Sequence, residues 1–151
     1  MRSVVIVGLA FAAMEPITAA THRWVMHGIG HRLHVSHHRR GPQGWEANDA
    51  FPVMFAAIVC AGLWLGFNVP GWSGLVAVGA GVTLYGAAYA LVHDVYIHRR
   101  IRIAPGLRLR VLDQLAAAHR IHHAYGAAPF GMLVPIVPRS HRERVAAVPG
   151  S

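Results

Sequence analysis

The sequence predicts an all-α fold: an integral membrane helical bundle with three to four spans and an interfacial helix. Its composition leads to this fold class. Apolar residues make up 54% of the 151-residue chain, and the mean hydropathy is +0.39. Charged residues make up 13%, about half of the roughly 25% that is usual in soluble domains. High hydropathy with few charges is unlike a disordered chain or a free soluble enzyme, and it indicates a membrane protein.

Three apolar runs have the length of about 20 residues that a helix needs to cross a bilayer. They cover residues 4–20, 50–69 and 72–92. Glu15 and Pro16 interrupt the first run, so we interpret it as a retained helix that continues toward His22–His27, and not as a cleaved signal peptide. The dipeptide Pro70-Gly71 predicts a tight turn between the second and third spans. Small residues in the third run allow close helix packing.

Residues 107–123 predict a further helix, which is too polar to cross the membrane and is therefore expected at the interface. The i, i+3, i+4, i+7 pattern of one helix face is formed by Leu112, Leu115, Ala116 and His119. The chain has the length of one domain. We assign residues 1–138 to one membrane-integral domain and residues 139–151 to a polar C-terminal tail.

Basic residues are distributed unevenly. All 14 are arginines, and with six carboxylates they give a net charge of +8. They concentrate after the first span and after the third, whereas the Pro70-Gly71 turn has none. By the positive-inside rule, the histidine clusters that follow these two spans face the cytoplasm. Because the arginines flank apolar spans, they predict contact with anionic membrane lipids and not with nucleic acid.

Histidine is the most unusual component, with 12 residues in the chain. Ten of them form four clusters in the order HX4H, HX2HH, HX4H, HX2HH, so that the second pair repeats the first. The clusters are His22/His27, His34/His37/His38, His93/His98 and His119/His122/His123. The HX2HH spacing puts three imidazoles on one helix face, whereas HX4H residues lie about 140° apart on an ideal helix. An HX4H pair therefore needs a bend or a helix end, which Gly28 and Gly30 offer to the first pair.

These clusters predict a metal centre at the cytoplasmic end of the spans. Neutral imidazole is a common ligand for iron, zinc, copper and nickel. Ten imidazoles are too many for one mononuclear site, so two metal ions sharing them is the economical interpretation. A single cluster is most often a pair of surface histidines, but four clusters beside the spans favour a metal centre. We expect His31 to lie in a loop or outside the ligand set and His141 to be solvated, and the lone Cys60 excludes a cysteine-pair site.

Two carboxylates near the clusters have alternative roles. Asp94 can orient the adjacent His93 or pair with the arginines at positions 99 and 100. Glu15 lies seven residues before the first histidine cluster, on nearly the same helix face. It is a candidate for an outer carboxylate, a proton path or a buried pair with Arg23.

The segment Glu46–Asp49 precedes the second span. Its Glu46, Asn48 and Asp49 side chains are expected to cap that helix, because Asn and carboxylates are favoured at helix N-termini. Orientation of a metal ligand by these side chains is the alternative.

The sequence around the histidines resembles that of a known family. The sequence reads HRWVMHG at 22–28, EAND at 46–49, VHD at 92–94 and AHRIHHA at 118–124. With the four-cluster series, these words resemble the membrane-integral di-iron hydroxylases of the fatty acid hydroxylase superfamily, and within it the bacterial β-carotene hydroxylases. The resemblance covers residues 15–138.

The resemblance implies a non-haem di-iron monooxygenase in the bacterial inner membrane, with its active site facing the cytoplasm. Such an enzyme inserts oxygen from O2 at C3 of the β-ionone rings and converts β-carotene to zeaxanthin. It implies two iron ions as cofactors, with the ten clustered histidines as metal-ligating and catalytic residues. The implied partners are a carotenoid that arrives from the bilayer, past Tyr85 and Tyr89, and a separate electron donor, a ferredoxin or an NAD(P)H-linked reductase. No GxGxxG fingerprint for a nicotinamide or flavin occurs in the sequence.

Other functions use similar features. A related di-iron desaturase, a carotenoid ketolase or a lipid hydroxylase also carries histidine clusters of this kind. A non-enzymatic membrane metal-binding or transport protein is the alternative outside this chemistry. A transporter usually binds its cargo near the middle of the bilayer, whereas these histidines follow the ends of the spans.

Overall fold

In the computed structural model, the described residues are 1–39, 44–101, 103, 106 and 108–141, and they form helices and connecting segments with no β-strand among them. Among these residues, five α-helices and three π- or 3-10-helical segments follow one another. They are α1 (Arg2–Ala20), a π-helical segment (Thr21–Ile29), α2 (His31–His38), a 3-10 turn (Ala47–Asp49), α3 (Ala50–Asn68), α4 (Gly74–Ala90), a second π-helical segment (Leu91–Ile97) and α5 (Arg110–Tyr125). The all-α prediction is confirmed.

Three helical stretches are long and apolar enough to cross a membrane. They are Arg2–Ile29, Ala47–Asn68 and Gly74–Ile97, of 28, 22 and 24 residues. Each one covers a predicted apolar run to within two residues, and the first continues through His22 and His27 as expected. The first and third are longer than the apolar runs because each carries a π-helical segment at its end.

The predicted turn between the second and third spans is a tight one. The Trp72 N–H donates to the Val69 carbonyl oxygen at 3.2 Å, and Gly71 has a φ of +87°. Pro before a left-handed Gly is the arrangement of a type II turn. The turn makes α3 and α4 an antiparallel hairpin.

Glycines allow α4 to pack closely between its neighbours. A Cβ atom added at Gly81 would lie 2.5 Å from the Val7 carbonyl oxygen of α1, and one at Gly79 would lie 2.5 Å from a Leu63 methyl group of α3. The predicted role of the small residues is therefore realised at these two positions. At Gly86, by contrast, an added Cβ would meet nothing within 4 Å.

We expect Gly81→Ala to destabilise the bundle and Gly86→Ala not to. The new methyl group at position 81 meets the backbone of α1, which cannot rotate away, so a cost of about 1–3 kcal/mol is expected. At position 86 the same change should be neutral or gain up to about 1 kcal/mol from helix propensity. Thermal unfolding of both variants in detergent micelles measures the difference, and equal melting temperatures would contradict the close α1–α4 contact.

Helix α5 is the predicted interfacial helix, although it begins at Arg110 and not at position 107. Leu109 is extended, with φ −124° and ψ 121°, and its N–H donates to the Tyr96 hydroxyl oxygen at 3.1 Å. That bond holds the chain outside the helix until Arg110. Among the described residues, α5 is not one of the helices apolar enough to span.

The C-terminal part is described only as far as His141, so most of the proposed tail, 139–151, lies outside the described residues. His141 itself is half-buried: its ring stacks on Tyr125 at 5.0 Å between centroids, and its Nδ1 lies 2.9 Å from the Ala128 carbonyl oxygen. The expectation of a solvated His141 is therefore wrong, because this ring packs back against the end of α5.

Candidate metal centre

The π-helical segments solve the geometric problem of the HX4H clusters. On an α-helix the two histidines would point apart, but a π-helix bonds residue i to residue i+5 and brings them onto one side. The His98 N–H donates to the His93 carbonyl oxygen at 2.9 Å, and the two rings lie 4.5 Å apart. The rings of His22 and His27 lie 5.1 Å apart. The expected bend after the first pair is also present, because Gly28 has the non-helical angles φ −99° and ψ −112°.

Two groups of histidines face each other at the end of the bundle. In each group the facing atoms are imidazole nitrogens separated by a few ångströms. The first histidine group consists of His22, His27, His34, His38 and His122, and the second of His37, His93, His98 and His119. His123 adjoins the second group, with its Nε2 2.9 Å from that of His119 and 3.2 Å from that of His37. We include it there, so each group has five imidazoles.

The two halves of the chain exchange one imidazole. The first half, residues 22–38, supplies four members of the first group, while its His37 belongs to the second. The second half, residues 93–123, supplies four members of the second group, while its His122 belongs to the first. Both exchanged residues occupy the middle position of an HX2HH cluster. Each HX2HH cluster is thus divided between the two groups: its outer members lie in one group and its middle member in the other.

All ten imidazoles turn Nε2 inward. Within the first group, Nε2 of His34 lies 3.0 Å from those of His22 and His38, and Nε2 of His27 lies 3.1 Å from that of His122. Within the second, Nε2 of His37 lies 3.0 Å from that of His93, and Nε2 of His98 lies 2.9 Å from that of His119. Six of the ten side chains are buried: His22, His34, His37, His93, His119 and His122.

Neutral oxygen acceptors fix three rings of the first group from outside. The Nδ1–H of His34 donates to Asn48 Oδ1 at 2.7 Å. The Nδ1–H groups of His22 and His122 donate to the backbone carbonyl oxygens of Phe130 and Ala127, at 3.1 and 2.8 Å. A ligating histidine usually donates its second N–H in this way, which fixes the tautomer and the ring orientation.

Carboxylates take the same role in the second group. The Nδ1–H of His37 donates to Glu46 Oε2, and that of His93 donates to Asp94 Oδ1, both at 3.2 Å. Both alternatives for Asp94 are therefore realised, since Arg100 also donates to Asp94 Oδ1 at 3.3 Å.

The capping segment does more than cap. The Glu46 backbone N–H donates to Asp49 Oδ2 at 2.9 Å, which is the expected local bond. Arg100 then binds both oxygens of Asp49, at 2.8 and 2.7 Å. The Glu46 carboxylate completes a capping box with Asp49 and also reaches His37, while the Asn48 amide reaches His34, so the alternative of ligand orientation applies to these two side chains as well.

Burial keeps the imidazoles outside the spans neutral. It lowers the pKa of His34 and His98 to about 4, that of His122 to about 3 and that of His123 to about 2. Burial also raises the pKa of Glu46, against the opposing effect of the Arg100 charge. Histidines with such pKa values are deprotonated at pH 7, which is the form that binds metal ions.

This donor set fits a metal ion in each group. A neutral imidazole has one N–H and one lone pair, and at five of these rings the N–H is used by the outer acceptor at Nδ1. The Nε2 lone pairs are then directed at one another, and bonds between acceptors cannot form. A cation at the centre of each group provides the missing partner. Nitrogen-only groups are suited to iron, zinc, copper or nickel.

Glu15 does not face the histidines. Its carboxylate accepts the Tyr85 hydroxyl at 2.6 Å and the backbone N–H groups of Leu133 and Val134, at 3.1 and 2.8 Å. The pair with Arg23 is not formed among these contacts, because the Arg23 guanidinium lies over the Trp24 and Phe130 rings. Glu15, in the first span, instead binds Tyr85 of the third span and the backbone at Leu133 and Val134, so it connects the segment after α5 to both spans.

Other sequence expectations near the centre have mixed outcomes. His31 is exposed at the first residue of α2, consistent with a place outside the ligand set. Tyr85 is only 2% exposed and is held by Glu15, so it packs inside the bundle, whereas Tyr89 lies 5.1 Å from the His93 ring. The carbonyl groups of Ala127 and Phe130 had no sequence signal, because any residue offers a backbone oxygen.

Comparison with known proteins identifies a family and several relatives of the chain. The family described as "Fatty acid hydroxylase" matches residues 7–142. The chain is 42% identical to a β-carotene hydroxylase of Pseudescherichia vulneris and 40% identical to one of Pantoea ananas, each over 85% of this chain and 74% of the relative. It is also 40% identical to a chloroplastic β-carotene 3-hydroxylase of Haematococcus lacustris, over 80% of this chain and 39% of that protein. No solved structure matches the chain.

Proposed function

The chain belongs to the fatty acid hydroxylase family, and from this we propose that it is a non-haem di-iron monooxygenase that hydroxylates carotenoids. The reaction is insertion of one oxygen atom of O2 at C3 of a β-ionone ring, which leads from β-carotene through the monohydroxylated compound to zeaxanthin. The bacterial relatives named β-carotene hydroxylases support this substrate class.

One observation carries the proposal: two five-imidazole groups lie side by side. His38 of the first group stacks on His123 of the second, with 4.4 Å between ring centroids. Two metal sites in contact are suited to a reaction that moves two electrons at one place. All ten clustered histidines are the proposed ligands, through Nε2.

The irons, when bound, supply the activation of O2. The chain's own residues hold and orient the ligands. Asn48, Glu46, Asp94 and the carbonyl groups of Ala127 and Phe130 keep the proton of five imidazoles on Nδ1, so that Nε2 is free to bind metal. Burial keeps these groups away from bulk water, which protects an oxidising site from side reactions.

A carotenoid is insoluble in water and reaches the site from the bilayer. The uncharged helices α3 and α4 present exposed apolar side chains, such as Ile58, Phe67 and Leu84, that suit contact with lipid. Tyr89 lies near the end of α4, with its ring 5.1 Å from that of His93. It is the proposed aromatic contact for the ring, while Tyr85 keeps a packing role.

The balance of the reaction requires a reductant. One C–H bond and one O–O bond break, one C–OH group and one water form, and two electrons and two protons enter from outside. A ferredoxin or an NAD(P)H-linked reductase is the proposed donor, because the sequence has no nicotinamide or flavin fingerprint.

The proposed location of the protein is the bacterial inner membrane, with the metal centre on the cytoplasmic side. We expect Cys at position 39, after α2, to be protected from an impermeant thiol reagent in intact spheroplasts, and Cys at position 70 to be labelled. The arginine asymmetry is the reason. Arg39→Cys and Pro70→Cys are made in a Cys60→Ser background, and permeabilised cells provide the control. Labelling of position 39 from outside, with position 70 protected, reverses the orientation.

Expression in a host that accumulates β-carotene tests the function. Pigment analysis should show zeaxanthin and the monohydroxylated intermediate, and their oxygen should derive from labelled O2. Formation of keto-carotenoids would assign the chain as a ketolase. Oxidised or desaturated lipids with unchanged β-carotene would assign it to another branch of the superfamily. Iron-loaded protein that oxidises none of these compounds would support a metal-binding or transport role.

A further inference from the structure

We propose that the second histidine group is the tighter metal site and fills first, because Asp94 and Glu46 make it the more negative of the two. The inference rests on the proposed di-metal centre. It concerns the order and strength of metal binding and not the identity of the substrate.

The two groups are equivalent in their ligating atoms. Each has five imidazoles, all presented through Nε2, and each takes four from one half of the chain and one from the other. Ligand number and ligand type therefore give no reason for unequal affinity. A difference in metal affinity has to come from the groups that accept the Nδ1–H of each imidazole.

Those outer atoms differ in charge. Among the described residues, three groups that accept an Nδ1–H of the first group are uncharged: the Asn48 side-chain oxygen and the carbonyl oxygens of Ala127 and Phe130. Two groups that accept an Nδ1–H of the second group, Glu46 and Asp94, are carboxylates. A carboxylate behind an imidazole makes the ring more basic and adds negative charge near the bound cation.

Arg100 organises these carboxylates. It holds Asp49 through two bonds of 2.8 and 2.7 Å and reaches Asp94 at 3.3 Å. Arg100 offsets one of the three negative charges at Glu46, Asp49 and Asp94, so these four side chains together carry a net charge of −2. The guanidinium therefore fixes the position of Asp94 without removing the difference between the groups.

The expected size of the effect follows from outer partners in other metal sites, whose loss typically costs about 10–100-fold in metal affinity. In the wild-type protein we expect two binding steps for Fe2+ that differ by at least about 10-fold. Asp94 and Glu46 are positioning residues in this proposal, since they act through His93 and His37.

Anaerobic titration of the metal-free, full-length protein in nanodiscs with Fe2+, against a competing chelator, measures both steps. Asp94→Asn and Glu46→Gln should each weaken the tight step by about 10-fold or more and leave the weak step unchanged. Asn48→Asp, which puts a carboxylate behind His34, should strengthen the weak step and narrow the gap. Mössbauer spectra with one equivalent of 57Fe should show one dominant iron environment in the wild type and two in Asn48→Asp.

Asp113→Asn is the matched control. Asp113 accepts the Tyr96 hydroxyl at 2.8 Å and pairs with Arg108, but it touches none of the ten histidines. This variant should bind Fe2+ like the wild type. Equal affinities in the wild type, or a loss confined to the weak step in Asp94→Asn, would overturn the proposal even if pigment analysis shows hydroxylation. Conversely, unequal steps with the expected variant pattern support it even if the substrate is not a carotenoid.

Discussion

Hydroxylation is expected to fall by more than about 100-fold when either exchanged histidine, His37 or His122, is replaced by Ala, because loss of an outer partner alone costs about 10–100-fold. Each variant removes the one imidazole that a group receives from the other half of the chain. The iron content should drop from two toward one per chain. Iron analysis of the purified protein and pigment analysis in a β-carotene-producing host measure the two effects.

The remaining two histidines provide matched controls for this prediction. His31 is exposed at the start of α2, His141 stacks on Tyr125, and neither is a member of either group. His31→Ala and His141→Ala should keep two irons and nearly full activity. Membrane insertion should be normal in all four variants. Full activity in His122→Ala would remove that residue from the proposed ligand set.

The second large effect is a loss of stability on replacement of Glu15. Glu15→Ala leaves the Tyr85 hydroxyl and the N–H groups of Leu133 and Val134 without their acceptor, beside a membrane span. The Tyr85 hydroxyl and the Leu133 N–H are partly buried, whereas the Val134 N–H is exposed. Each unsatisfied buried donor costs about 1–3 kcal/mol, so a total loss on the order of 2 kcal/mol or more is expected. Thermal unfolding in micelles measures this loss. Limited proteolysis between positions 131 and 137 reports release of the segment.

Two variants are expected to lose less stability than Glu15→Ala. Tyr85→Phe removes one of the Glu15 bonds without creating an unpaired donor, and Glu15→Gln keeps one acceptor oxygen. Both should fall between the wild type and Glu15→Ala in stability. If Glu15→Ala is no less stable than Tyr85→Phe, the backbone donors of Leu133 and Val134 do not depend on this carboxylate.

The fold was largely predictable from the sequence. Hydropathy marks each span directly, because a bilayer requires about 20 apolar residues in a row. The Pro70-Gly71 turn was predictable because Gly71 adopts the left-handed conformation that a type II turn requires. The start of α5 was less accurate, since it depends on a bond between Leu109 and the distant Tyr96.

The candidate site was predictable in composition but not in arrangement. Spacing singled out the ten histidines that the structure brings together in two groups. The angle of about 140° between HX4H residues on an ideal helix correctly indicated a departure from the α-helix. It could not indicate a π-helix, because that depends on packing at the ends of α1 and α4. The exchange of His37 and His122 also had no sequence signal, since the three residues of an HX2HH cluster lie on one face of an isolated helix.

Outer partners were the least predictable part. Glu46 and Asn48 resembled helix caps in the sequence, because Asn and acidic residues before an apolar run usually have that role. Their contacts with His37 and His34 arise only when α2 folds back on the segment before α3. Glu15, in turn, was expected near the histidines by helical spacing, but a C-terminal segment more than 100 residues away takes its carboxylate.

The exchange of one imidazole between the halves sets the timing of maturation during biosynthesis. When the first half leaves the ribosome, it carries four histidines of the first group, but the fifth arrives only with α5. The second group is even less complete at that stage: it has a single member, His37, until Leu91–Ile97 and α5 have been made. Neither group is complete before all three spans are in the membrane. For the proposed metal centre, we therefore expect complete coordination only in a chain whose three spans have already been made, in a step that joins its first-made and last-made helices.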